Sequence, residues 1–278
     1  MASSPAKPLV VLAAGGTGGH VFPAEALAAE LSSRGYQLAL VTDRRGGDLS
    51  GRLGELETHR VRAGGIAGKV VFARILSAIE LTVGTVQAWF LLRRLKPAVV
   101  VGFGGYASVP TMLAAAYSGT KAAIHEQNAV LGRANRMLAS RVETIATSFE
   151  KVSEIPENAK SNIIVTGMPV RPAVTTVRDR AYPAISSEGD INLAVFGGSQ
   201  GAHIFSVVVP DAMKRLDESL RRRIKITQQS RQEDIDLANS VYRTIGIEAE
   251  LSTFFNDVPD RIADAHLVIC RSGASSIA

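Results

Sequence analysis

One cysteine, Cys270, stands in 278 residues. A disulfide within the chain is therefore excluded, as is a zinc site built on cysteines, and a reducing compartment suits such a chain. Aromatic residues make up only 5%. None of them lines a basic stripe, so a stacking platform for single-stranded nucleic acid is not expected. No apolar run is long enough to cross a bilayer, because the most apolar stretch, 70–92, is broken by Arg74, Glu80 and Gln87. The run at 9–14 is too short for the centre of a signal peptide and leads straight into glycines. No glycine loop ends in the Gly-Lys-Ser/Thr of a P-loop, which disfavours an NTPase. No group of His, Asp or Glu shows metal-ligand spacing, so neither a metal nor a cofactor is expected.

What is present is ordinary globular composition, with 46% hydrophobic and 21% charged residues. The length fits roughly two domains. The formal net charge of +5 is a mild basic excess. It suits a protein that meets phosphates or an anionic surface and does not call for nucleic acid. Short apolar, often β-branched runs at 9–14, 38–41, 99–101, 122–124 and 163–165 read as strands buried on both faces. Helical patterns such as 24–33 and 111–116 lie between them, and this alternation implies βαβ units with a parallel sheet. Gly167, Pro169 and Pro172 then punctuate the chain. Strand patterns restart at 191–196, 224–227, 248–253 and 267–270. The expected organisation is an N-terminal α/β domain over 1–166, a linker over 167–190 and a second α/β domain over 191–278. The last residues look like a turn feeding a helix that Ser272 could cap. No helix body follows, so the expectation is a second domain that is incomplete.

Three glycine-rich turns follow strands and precede helices. They are Gly15-Gly16-Thr17-Gly18-Gly19-His20, Gly102-Phe103-Gly104-Gly105-Tyr106 and Gly197-Gly198-Ser199-Gln200-Gly201. Lacking Cβ atoms, such turns let backbone N–H groups approach a phosphate, and the helix that follows presents its positive end. Any one of them alone reads equally well as a tight turn. A dinucleotide fingerprint starting at Gly16 fails at Val21, although Asp43 could mimic a ribose-binding acid, so a nicotinamide-dependent oxidoreductase stays open. The cluster His125-Glu126-Gln127-Asn128 ends an apolar strand and is expected to point into a cleft mouth, where it could bind sugar hydroxyls and move a proton. His20 lies on the first glycine loop, beside a phosphate site. Asp234-Ile235-Asp236 resembles a metal-binding pair, yet it falls in a helical pattern where residues two apart do not share a face. The segment 69–95 carries Phe72, Ile75, Leu76, Ile79, Val83, Val86 and Phe90 at helical spacing, beside Lys69, Arg74, Arg93, Arg94 and Lys96. It reads as a core-facing crossover helix or as a patch for an anionic membrane surface.

The ordered set of motifs resembles a specific family. Gly15 to Ala24, Gly104-Gly105-Tyr106, His125-Glu126-Gln127-Asn128, Pro169-Val170-Arg171, Gly197-Gly198-Ser199-Gln200-Gly201-Ala202 and Arg271-Ser272-Gly273-Ala274 together are similar to the peptidoglycan N-acetylglucosaminyltransferases that convert lipid I to lipid II. The resemblance implies a GT-B fold of two Rossmann-like parallel-sheet domains facing a cleft. It also implies inverting, metal-independent transfer of GlcNAc from UDP-GlcNAc to the C4 hydroxyl of the MurNAc unit of an undecaprenyl-linked acceptor, at the cytoplasmic face of the bacterial membrane. By resemblance, Ser199 and Gln200 lie at the UDP phosphates and Arg171 near the donor. Phe255 contacts uracil through its backbone, and Ala274, Ser275, Ser276 and Ile277 begin a donor-binding helix. Thr17, Gly18, Gly19 and Asn128 match donor-contact positions, and Asn135 an acceptor-side residue. The acceptor pyrophosphate is expected at Gly15, Gly16, Gly104 and Gly105, with Gly197, Gly198 and Gly201 forming the donor turn. His20 is the first choice for general base and Glu126 the second. The family continues past residue 278 into further donor-binding parts, so weak or absent turnover is expected of this length of chain. A GT-B enzyme with another acceptor, and a shortened form acting only as a binding module, remain open.

Overall fold

The computed structural model describes residues 7–16, 18–44, 51–64, 71–198 and 201–276, without the side chains at 71–75 and 275. The chain divides into two compact units between Arg171 and Pro172. The first unit is built on seven parallel strands, β1 (Leu9–Ala13), β2 (Gln37–Asp43), β3 (Glu57–Val61), β4 (Val99–Gly102), β5 (Ala122–Glu126), β6 (Thr144–Thr147) and β7 (Ile163–Val165). Their order in the sheet is β3-β2-β1-β4-β5-β6-β7. The helices between them are α1 (Gly18–Ser33), α2 (Gly51–Gly54), α3 (Val71–Leu95), α4 (Gly105–Ser118) and α5 (Arg133–Leu138).

Strand order reverses between β1 and β4, which pair side by side up to Ala13 opposite Gly102. At such a reversal the crossovers leave in opposite directions and open a crevice outside the carboxyl ends of the strands. The first glycine turn follows β1 and the second follows β4, so both lie at this point. The sheet is covered on both faces. Leu12, Leu40, Leu53 and Phe103 pack with Ala24 and Ala28 of α1 on one side. Val11, Val41, Val100, Ile124 and Ile145 pack with Ala88 and Leu92 of α3 and with Met112 of α4 on the other. Fully burying one such large apolar side chain contributes about 1.5–3 kcal/mol.

Two strands differ from the sequence expectation. β3 reads Glu-Thr-His-Arg-Val, and only Val61 is buried, because it is the edge strand beside β2. β6 is four residues long and alternates buried with half-buried positions, so it lacks the continuous apolar run of its neighbours. Helix α1 begins at Gly18, well before the expected residue 24. His20 therefore sits in the first turn of a helix and not on a loop.

Helix α3 turns its small residues inward. Ser77, Gly84, Ala88 and Leu92 are buried, whereas Leu76, Ile79, Val86 and Phe90 are exposed, Phe90 by 63%. The core-facing reading therefore holds for one face of the helix, and the other face is an exposed apolar stripe. Lys69 lies outside the described residues, as do the side chains of Phe72, Arg74 and Ile75.

The second unit has α6 (Pro172–Thr175), β8 (Ile191–Phe196), α7 (His203–Lys214), α8 (Glu218–Arg221), β9 (Ile224–Gln229), α9 (Gln232–Thr244), β10 (Glu248–Ser252), α10 (Val258–Ala263) and β11 (Leu267–Cys270). Its parallel sheet runs β10-β9-β8-β11, again reversing beside its first strand. Val195, Val209, Met213, Ile226, Ala238 and Tyr242 form its core. The Tyr242 hydroxyl donates to Gln228 Oε1 at 2.6 Å. The segment before β8 packs on this unit: Arg180 pairs with Asp260 at 2.6 Å and the Tyr182 hydroxyl donates to the His266 carbonyl at 2.7 Å.

Gly84 decides how closely α3 approaches the sheet. A Cβ there would lie 1.8 Å from the Arg62 carbonyl oxygen. Replacing a helical glycine by alanine ordinarily gains up to about 1 kcal/mol. Here the backbone clash outweighs that gain, and Gly84→Ala is expected to destabilise the first unit by about 1–3 kcal/mol in urea unfolding. Unchanged or raised stability contradicts this packing.

Candidate active site

The first unit brings three segments together at the reversal of its sheet. The Phe103 peptide joins them. Its N–H donates to the Ala13 carbonyl at 3.0 Å, tying the end of β4 to the end of β1. Its carbonyl oxygen lies 2.8 Å from His20 Nδ1 on α1 and accepts from Gln127 Nε2 at 3.0 Å. Gln127 Oε1 is a second neighbour of His20 Nδ1, at 3.2 Å. Gly105 lets the histidine close on this turn. It has φ +70°, and a Cβ there would sit 3.1 Å from His20 Cδ2. A side chain at Gly105 would thus meet both backbone strain and the imidazole.

The His125–Asn128 cluster does not open into a cleft mouth as the sequence led us to expect. His125, Glu126 and Gln127 are all buried, and only Asn128 is exposed. They face one another because the chain leaves β5 in a tight loop whose polar groups need partners away from water. Glu126 supplies most of them. Its Oε1 accepts from the Asn128 backbone N–H and side-chain amide, both at 3.0 Å. Its Oε2 accepts from the Gly132 N–H and Asn135 Nδ2, both at 2.9 Å. Asn135 Nδ2 also donates to the His125 carbonyl at 3.1 Å, and Asn135 is itself buried. Burial pushes His125 below the ordinary histidine value, opposed by its contact with the Gly167 carbonyl and by the Glu126 charge. Its Nε2 lies 3.3 Å from that carbonyl.

Arg171 lies beside the same helix. Its guanidinium stacks over the Phe22 ring, 4.1 Å from the centroid. Nearby Glu25 has its pKa raised by burial, and the Arg171 charge works against that rise. The glycines divide by role. Gly15 is packed, since a Cβ would lie 2.6 Å from Thr42 Oγ1, and at Gly18 it would lie 2.8 Å from the Phe22 ring. Gly16 meets nothing within 4 Å. Gly19 shares the first turn of α1 with His20, and a Cβ at Gly104 would approach both His20 and Asn135.

In the second unit the glycine turn follows β8. Gly197 and Gly201 are close to backbone, while Gly198 is open on the Cβ side. The segment after β11 neighbours this turn, because Cys270 pairs with Phe196. Ala274 to Ser276 form one 3-10 turn there. Phe255 is buried edge-on against Phe196, and the Arg261 guanidinium lies 4.2 Å from its ring centroid. Thr17, Ser199, Gln200 and Ile277 lie outside the described residues. Asp234 is buried and bonded to His203 at 2.7 Å, whereas Asp236 faces solvent, so the two acids do not share a face. No group of three His, Cys, Asp or Glu among the described residues could hold a metal. A cavity of about 370 Å³ opens on the second unit between Asn192, Lys225, Asp257 and Arg261, and none of the candidate residues lines it.

The glycosyltransferase family 28 N-terminal domain model matches residues 10–147, and its C-terminal counterpart matches 192–278. The chain is 57% identical over 272 residues to the UDP-N-acetylglucosamine--N-acetylmuramyl-(pentapeptide) pyrophosphoryl-undecaprenol N-acetylglucosamine transferase of Paramagnetospirillum magneticum, covering 98% of this chain and 73% of the relative. The chain belongs to glycosyltransferase family 28. The namesake transferase of Rhodospirillum rubrum is 54% identical over 96% of this chain and 68% of its own length. Among solved structures of similar fold, Acinetobacter baumannii MurG aligns with TM-score 0.69 and 27% identity, over 97% of this chain and 73% of that one. The Neisseria meningitidis UDP-GlcNAc 2-epimerase aligns with TM-score 0.60 at 14% identity, over 96% of this chain and 78% of its own, a likeness of fold alone. Two parallel-sheet units of this kind make the family 28 chain a GT-B protein.

Glu126 is the test of this site's construction. Glu126→Gln replaces one acceptor oxygen by a donor that faces other donors. The loss is expected to be about 2–3 kcal/mol, read as a lower Tm of the first unit. An unchanged Tm contradicts the clasp.

Proposed function

We propose that the chain transfers GlcNAc from UDP-GlcNAc to the MurNAc hydroxyl of the undecaprenyl-pyrophosphoryl acceptor lipid I, forming lipid II for peptidoglycan. The relatives in which this activity is named match nearly the whole chain at high identity. The observation that carries the chemistry is the contact between His20 Nδ1 and the Phe103 carbonyl. A carbonyl only accepts, so Nδ1 holds the proton of the neutral ring. Nε2 then carries the lone pair.

In this reading His20 Nε2 takes the proton of the acceptor C4 hydroxyl as that oxygen attacks the anomeric carbon of GlcNAc. The C–O bond to UDP breaks from the opposite face, and the anomeric centre inverts. UDP-GlcNAc carries two negative charges, and UDP takes the electron pair of the broken C–O bond and leaves with three, so the leaving group needs positive potential. The open turn at Gly198 and the start of α7, a twelve-residue helix, offer that potential in the second unit. Ser199, Gln200, Arg171, Phe255 and the segment 274–277 are assigned to the donor, and Gly16 and Gly104 to the acceptor pyrophosphate. Glu126, with both oxygens already engaged, ties Asn128 and Gly132 of the loop after β5 to Asn135 of α5. We assign it this holding role in preference to proton transfer.

The acceptor is lipid-borne, and α3 supports docking on an anionic membrane surface at the cytoplasmic face. Its outward stripe of Leu76, Ile79, Val86 and Phe90 ends at exposed Arg93 and Arg94. Among the described residues no helix is long and apolar enough to cross a membrane. Apolar contact plus attraction of basic residues to anionic lipid is the ordinary way such a helix binds in the interface plane.

Two measurements test these readings. With UDP-GlcNAc and a soluble lipid I analogue, transfer is expected, and His20→Ala should lower kcat about 10²–10⁴-fold with little effect on the KM for UDP-GlcNAc. Transfer at the wild-type rate by His20→Ala removes it as base, and no transfer by the wild-type protein contradicts the activity. For the membrane, Ile79→Asp with Phe90→Asp is expected to abolish co-sedimentation with anionic vesicles, and unchanged binding rejects the patch.

A further inference from the structure

The buried groups behind His20 form a chain whose orientations follow from the carbonyls around it. Gln127 Nε2 lies 3.0 Å from the Phe103 carbonyl and 3.2 Å from the His125 carbonyl. Both carbonyls only accept, so this end of the side chain must be the NH2 group. That NH2 has only two protons for the two carbonyls and for His125 Nδ1, 3.1 Å away, so the ring is fixed from its other side: His125 Nε2 faces the Gly167 carbonyl, which only accepts, and Nδ1 is the bare nitrogen. The proton of His125 then sits on Nε2, 3.3 Å from that carbonyl. At its other end Gln127 presents Oε1 to His20 Nδ1 at 3.2 Å, so His20 donates there.

We infer that Gln127 is the positioning residue of the base: braced by His125, it holds His20 and His125 in opposite tautomers, with the proton on Nδ1 in His20 and on Nε2 in His125. The Phe103 carbonyl alone would favour the same His20 tautomer. Gln127 adds a second acceptor for that proton and anchors the carbonyl itself. Of the chain's members only the base touches substrate. The inference concerns how the base is set, and so rests on the reading of His20 as base. The titratable groups beside the chain are His125 and Glu126, and the Glu126 carboxylate is turned to Asn128, Gly132 and Asn135. Among the described residues no charged group is hydrogen-bonded to the His20 ring.

The chain has five histidines, few enough to resolve singly by nitrogen-15 NMR of protein labelled in histidine. His20→Gln and His125→Gln variants assign the two signals. At about pH 8, above the ordinary imidazole titration, His20 is expected to show a protonated Nδ1 and a bare Nε2, and His125 the reverse. A His20 proton on Nε2, or the same tautomer in both rings, overturns the inference without any assay of transfer. Gln127→Glu places a carboxylate on His20 Nδ1 and should raise the titration of His20 by about one unit or more. It should also move the His125 proton off Nε2, since an oxygen then faces Nδ1. An unmoved His20 titration in folded Gln127→Glu overturns the inference, and if that variant does not fold the wild-type tautomers decide alone. Gln127→Met should lower kcat about tenfold, the size of one net hydrogen bond, while KM for UDP-GlcNAc stays within about twofold. Opposite tautomers together with normal transfer by His20→Ala would reject the base and leave its positioning intact, so the two failures are distinguishable.

Discussion

The backbone of Phe103 is the point on which the candidate site of the first unit is held. One backbone unit ties β4 to β1 through its N–H and receives His20 and Gln127 at its carbonyl oxygen. A backbone carbonyl cannot change its role with pH or rotate its lone pairs into a proton, so it is a fixed electrostatic reference for the imidazole. Its position is set by the sheet, which is packed on both faces by large apolar side chains. The cost of moving it is therefore the cost of disturbing a core, not of bending a loop.

The strand reversal supplies the rest. Where β1 and β4 lie side by side, two crossovers leave in opposite directions, and the turns that follow are free of covering helices. The sequence places glycines at both turns. One helix begins at Gly18 and carries His20 in its first turn, the other begins at Gly105, and the small Gly105 lets the ring approach. The second unit repeats this plan with β8 and β11, and there the open glycine faces the start of α7. The division of labour follows from what each turn carries. The first unit's turns carry the histidine proposed as base, with polar groups behind it, whereas the second unit's turn carries backbone amides of the kind that suit a diphosphate.

Much of this was legible in the sequence. Strand patterns in the sequence marked nine of the eleven strands among the described residues, and the central ones such as β1 and β8 are the buried apolar runs, whereas β7, β10 and β11 are half-buried or exposed. β3 escaped detection because an edge strand tolerates Glu, Thr, His and Arg, and β6 because four residues, Thr-Ile-Ala-Thr, with only alternate positions buried carry too little signal. The glycine turns were legible as turns, but which glycines serve packing was not. Gly15 is small because Thr42 Oγ1 lies against it, a contact between residues far apart in the chain. The polar run 125–128 was legible as the end of a strand at the sheet's carboxyl edge, while its burial was not. Four polar residues in sequence look solvated, and only the fold shows Glu126 meeting the N–H groups of residues 128, 132 and 135. The inward Ser77, Gly84 and Ala88 of α3 were hidden for a related reason, since the apolar residues that mark its helical spacing, Leu76, Ile79, Val86 and Phe90, face out.

The most direct test of the account is the pH dependence of kcat for GlcNAc transfer, compared between the wild-type protein and His20→Gln. If His20 Nε2 takes the hydroxyl proton, the wild-type rate falls tenfold per pH unit on the acid side as that nitrogen protonates, and this limb disappears in the variant along with most of the rate. An acid limb of the same position and slope in His20→Gln would contradict the account.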